Sequence, residues 1–63
     1  MFKKEDYLSY LSQILKTENE MITLLESLLK EAGDNRLQDQ LASIIATKER
    51  HIELIKTMMS KFV

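Results

Sequence analysis

The amino-acid sequence predicts an all-α fold: an antiparallel two-helix hairpin that dimerises into a four-helix bundle. Three observations predict it. The 63-residue chain has no proline and a single glycine, so only one place offers a break in a helix-forming sequence. On both sides of that glycine, apolar residues recur at alternating three- and four-residue spacing, as one face of an α-helix requires. Each of these stripes has a second apolar stripe beside it, which a lone pair of helices would leave in water.

The break is Ala32-Gly33-Asp34-Asn35. Gly33 is placed to end the first helix with φ > 0, which a residue without Cβ adopts freely. Asp34 or Asn35 then caps the second helix, and Asn35 with Gln38 has the spacing of a capping box. The chain is accordingly one domain over 1–63, with a helix over 3–32, a turn at 33–34 and a helix over 35–61. At about 1.5 Å per residue each helix is on the order of 40 Å long.

The first stripe reads Leu8, Leu11, Leu15, Glu18, Ile22, Leu25, Leu29, Ala32, and the second Leu37, Leu41, Ile44, Lys48, His51, Ile55, Met58, Phe62. Tyr7, Ile14, Met21 and Leu28 flank the former; Ile45, Ile52 and Met59 flank the latter. A bend at Gly33 sets Leu29 opposite Leu37, Leu25 opposite Leu41, Ile22 opposite Ile44, Glu18 opposite Lys48 and Leu15 opposite His51. The core of the dimer is expected to draw on Leu8, Leu11, Leu15, Ile22, Leu25, Ile44, Ile52, Ile55 and Met58.

Size makes self-association the natural means of stabilisation. Below about 70–80 residues a single core rarely supplies more than about 3–5 kcal/mol. With no cysteine there is no disulfide framework, and with one histidine a structural zinc site within one chain is not expected. The expected partner is a second copy, or another helical protein offering an equivalent face. A formal net charge of −1 argues against a nucleic-acid partner. No apolar run approaches the length of a membrane span. Met1-Phe2-Lys3-Lys4-Glu5-Asp6 has no apolar core of a signal peptide, so a cytoplasmic location is expected.

Glu18, Lys48 and His51 interrupt the stripes in adjacent layers near mid-helix, forming an expected polar core layer. Charged groups facing a core must find partners. The segments Thr17-Glu18-Asn19-Glu20-Met21-Ile22-Thr23-Leu24-Leu25-Glu26 and Ile45-Ala46-Thr47-Lys48-Glu49-Arg50-His51-Ile52-Glu53-Leu54 resemble one half of a ferritin-like or rubrerythrin-like di-iron bundle. In that family one helix supplies a Glu and the next a Glu-x-x-His, both projecting inward. The resemblance, over roughly residues 11–58, implies a half-bundle with Glu18 and His51 as metal ligands for iron or manganese. The sequence departs from the family at Lys48, which stands where the bridging carboxylate would be. Glu49 is one residue along and about 100° away around the helix.

Two function classes follow. In the first, Glu18, Lys48 and His51 pair by charge and fix the dimer, and the chain is a non-enzymatic assembly or interaction module with no cofactor. In the second, it is a ferritin-like metal binder or oxidoreductase with an iron or manganese site formed across the dimer. No catalytic residues are assigned. His51 has no Ser or Cys arrangement beside it, and Met21, Met58 and Met59 read as gap-filling core residues. The acidic residues lack the spacing of a calcium loop. Lys3, Lys4, Lys56 and Lys61 gather at the end bearing the termini, offset by Glu5 and Asp6.

Overall fold

In a computed structural model, which describes residues 3–62, the chain forms two helices, α1 (Lys4–Glu31) and α2 (Asn35–Ser60), packed side by side as a hairpin. Met1 and Phe2, part of the segment read above for a targeting signal, and Val63 lie outside the described residues. No helix among the described residues is long and apolar enough to cross a membrane.

Local chemistry sets the helix ends. Lys3 is extended, and its N–H donates to Asp6 Oδ2 at 2.9 Å. Glu5 and Asp6 lie in the first turn of α1 and Lys30 in the last, each matched to the partial charge at that helix end. Asp34 caps α2, its Oδ1 accepting from the Arg36 N–H at 2.9 Å. The Asn35–Gln38 capping box does not form, because the Gln38 amide turns back and donates to the Ala32 carbonyl at 2.6 Å. Nor does Gly33 take the left-handed conformation expected of it; no described residue has positive φ. The chain reverses instead through extended residues, Ala32 at φ −70° and Asp34 at φ −105°. Gln38 supplies the donor that a left-handed cap would have supplied.

The hairpin is a rod of 48 × 16 × 15 Å with a radius of gyration of 14.8 Å. A compact domain of this length would have a radius near 11 Å. Two helices in one layer meet along one seam, and that seam is all the core there is. On α1 the seam is Leu8, Leu11, Leu15, Glu18, Ile22, Leu25, Leu29 and Ala32, each half-buried, as the spacing predicts. On α2 it is Gln38, Leu41, Ile45, Lys48, Ile52, Ile55, Met59 and Phe62. Among the described residues only Leu41, Ile52 and Ile55 are buried, and none is completely enclosed.

The α2 stripe is therefore rotated from the one expected. Leu37, Ile44, His51 and Met58 leave the seam, while Ile45, Ile52 and Met59 enter it. Both candidate stripes are apolar, so spacing alone does not choose between them. The two sets carry three apolar residues each and differ in the polar one: the observed choice takes in Gln38, whose amide donates to the Ala32 carbonyl, and leaves the His51 imidazole outside, and burying an unsatisfied polar group is costly. At the open end Tyr7 and Phe62 stack, ring centroids 5.3 Å apart and planes 10° from parallel.

The turn gives a direct test. A Cβ built at Gly33 would meet nothing within 4 Å, and its φ is negative. Gly33→Ala is expected to raise stability by about 0.4–1 kcal/mol, by restricting the unfolded chain. Chemical denaturation at fixed protein concentration checks it, and destabilisation would mean that the turn needs glycine after all.

Candidate functional site

Two features stand out: a charged pair inside the seam and an apolar face beside it. Glu18 and Lys48 occupy seam positions on facing helices, with Lys48 Nζ 3.6 Å from Glu18 Oε2. Their side chains are only 16% and 17% exposed. His51, one turn further along α2, stands at the rim with Nδ1 3.8 Å from the same oxygen, and its side chain is 57% exposed. The polar layer expected from sequence is thus two residues deep. His51 lies outside the seam because α2 presents Ile52 there in its place.

Glu18 Oε2 is buried and accepts no hydrogen bond, both nitrogens being beyond hydrogen-bond reach. Such an oxygen raises the possibility of a cation. The donors around it do not fit one. The nearest group is itself a cation, the Lys48 ammonium, on the carboxylate's inward side. Among the described residues no three His, Cys, Asp or Glu side chains converge as ligands. Glu18 and His51 offer one carboxylate and one imidazole per hairpin, which falls short of the carboxylate-rich set that bridges two metals in ferritin-like bundles. The layer is suited to charge neutralisation across a seam and to fixing how the helices register.

The second feature emerges when the seam is given the heptad labels a and d. The neighbouring g positions on α1 are Tyr7, Ile14, Met21 and Leu28; on α2 they are Leu37, Ile44, His51 and Met58. In an antiparallel pair the two g edges lie on the same side. An open groove of about 450 Å³ shows this directly, being lined by Asp6, Tyr7, Tyr10, Leu11 and Ile14 from the α1 side with Met58 and Phe62 from the α2 side. Beyond the g edge come the c positions, which include Tyr10, Leu24 and Leu54. All nine exposed large apolar side chains among the described residues fall on these g and c positions. The opposite side carries Glu5, Ser12, Asn19 and Glu26 of α1 with Glu49 and Lys56 of α2, and is polar throughout apart from Ala42 and Ala46.

Of the residues expected at a dimer core, Ile44 and Met58 lie on this open face. Leu8, Leu11, Leu15, Ile22, Leu25, Ile52 and Ile55 line the hairpin's own seam. Sequence reasoning missed Leu24 and Leu54, which are 63% and 60% exposed, and no regular spacing marks them, since the residues seven away are Thr17 and Glu31 for the one and Thr47 and Lys61 for the other. Tyr10, 59% exposed, joins them on this edge.

No protein-family model matches the chain, and no curated protein or solved structure matches it either.

The charged pair yields two expectations. Lys48→Leu leaves Glu18 Oε2 without a counter-charge and should cost about 1–3 kcal/mol. Glu18→Leu combined with Lys48→Leu should recover that loss or exceed the parent, since a matched apolar pair has no desolvation cost. Urea unfolding of both variants decides it; a Lys48→Leu chain as stable as the parent would deny the pair any role. For metal, protein purified without chelator should hold no stoichiometric iron or manganese by elemental analysis. Stoichiometric metal that disappears on His51→Ala would reverse this assignment.

Proposed function

We propose that the chain is a non-enzymatic assembly module that works as a homodimer, two hairpins burying their g-edge faces in a four-helix bundle. The single observation carrying this reading is that, among the described residues, every exposed large apolar side chain lies on one side of the hairpin and just three residues are buried. A monomer rarely exposes a contiguous apolar patch of more than a few hundred Å² without a use for it. The stripe here runs from Tyr7 and Met58 at the open end to Leu28 and Leu37 at the turn. Packing it against an identical stripe at the usual bundle angle of about 20° covers it along its whole length.

Other coverings have less in their favour. A helix pair lying on an anionic membrane carries Lys and Arg along its polar side, whereas this chain has net charge −1 and both signs on that side. The metal-binding alternative has in its favour the unpartnered Glu18 Oε2, but the cationic Lys48 Nζ stands 3.6 Å from that oxygen. What the ferritin-like resemblance retains in this reading is architectural, a half-bundle completed by its copy. The Glu18–Lys48 pair then has a specifying role: a charged layer in an apolar seam penalises every register that separates the two.

Two measurements test the proposal together. Sedimentation equilibrium is expected to give twice the chain mass, and the melting temperature should rise with protein concentration, as it does when folding and association are linked. Ile44→Glu places a charge at the middle of the open face. On a surface facing water it would change stability by less than about 0.5 kcal/mol. In a bundle it should dissociate the dimer and depress the melting temperature strongly. A concentration-independent monomer, indifferent to Ile44→Glu, would sink the proposal.

A further inference from the structure

The open face has different ends, and that difference fixes how a second copy would lie on it. Resting on the homodimer reading above, we propose that the two hairpins pack head to tail, with Leu24 and Leu28 of each copy seated in the terminal groove of the other. The groove formed by Tyr7, Tyr10, Leu11, Ile14, Met58 and Phe62, with Asp6 at its edge, is a hollow of about 450 Å³ at the end bearing the termini. Towards the turn the same face carries Leu24, Leu28 and Leu37, which are 63%, 47% and 45% exposed. A two-fold axis along the helices would put both turns at one end and stack groove on groove, leaving a void. An axis across the helices puts leucine on groove twice.

Charge at the four corners selects the same axis. With the turns at one end, α1 of one copy lies along α2 of the other. Lys3 then meets Lys61 of the second copy, and Glu31 meets Asp34. With the turns at opposite ends, α1 lies along α1 and α2 along α2. Lys3 then meets Glu31, and Lys61 meets Asp34. Among these four residues the first arrangement pairs only like charges and the second only opposite ones, and like-charge contacts of this kind discriminate between competing packings. In the head-to-tail arrangement Tyr10 lies beside Leu24 of the other copy and Tyr7 beside Leu28. The two α1 helices cross at their middle, where Thr17 is exposed on the bordering c position and meets its own counterpart.

Cysteine scanning reads this geometry cleanly, because the chain has no native cysteine. Thr17→Cys, oxidised under mild conditions, should give a disulfide-linked dimer in near-complete yield. Thr23→Cys, on the polar side, serves as the control for chance collision and should stay reduced. An equimolar mixture of Thr17→Cys and Thr47→Cys chains should give little mixed disulfide. Abundant mixed disulfide with no Thr17–Thr17 product would overturn the head-to-tail arrangement while leaving a homodimer intact. A monomer in sedimentation would instead remove the homodimer reading itself. Charge exchange gives an independent measure that needs no oxidation. Lys3→Glu should weaken dimerisation several-fold, and adding Glu31→Lys to the same chain should restore it. No restoration would also count against the arrangement.

Discussion

Two helices laid side by side share one line of contact, and each can turn only one stripe towards the other. This chain carries more than one stripe per helix. The seam takes Leu8, Leu11, Leu15, Ile22, Leu25 and Leu29 on α1, and Leu41, Ile45, Ile52, Ile55 and Met59 on α2, and even there most side chains remain half-exposed. Met21, Leu28, Leu37, Ile44 and Met58 then have nowhere to go within the hairpin. Their common side follows from the antiparallel topology, which places the two g edges together. The short turn enforces that topology. Asp34 caps α2 and Gln38 closes the last carbonyl of the α1 segment, leaving little slack between the helices.

Against this background the Glu18–Lys48 pair is a local loss with a global use. Neither side chain is well solvated, and the separation of 3.6 Å is longer than a charge-assisted hydrogen bond. A leucine pair would pack as well. Under the proposed reading the ions add discrimination to the register that the bend already sets, because sliding one helix by a turn along the other would strand both charges against hydrocarbon.

Much of this was legible from the amino-acid sequence, for identifiable reasons. The helices and their bend are set by one glycine, no proline and a heptad spacing that survives from Leu8 to Phe62. The facing of Glu18 and Lys48 follows from the position of the bend. The rotation of α2 was not legible, because Leu37, Ile44 and Met58 match the spacing as well as Ile45, Ile52 and Met59. Only tertiary packing separates the two sets, and the decisive residue is His51, whose imidazole goes to the rim. The turn was half legible. Asp34 is a natural cap, but the Gln38 side chain competes for the carbonyl that would otherwise call for a left-handed glycine. Glu26 and Lys30 have favourable i,i+4 spacing yet form no ion pair among the described residues, since spacing brings two side chains near without choosing their rotamers.

The polar side of the hairpin has a consequence of its own. Thr23, Ser27 and Thr57 each donate their hydroxyl proton to a carbonyl one turn earlier in the same helix. Around them stand Lys16, Glu20, Glu26, Glu49, Arg50, Glu53 and Lys56, charges of both signs on long, hydrated stems. Such a back has no continuous apolar stripe among the described residues. In the head-to-tail pair proposed above each copy covers the sticky flank of the other, and a closed two-fold contact of that kind leaves no stripe from which growth would continue.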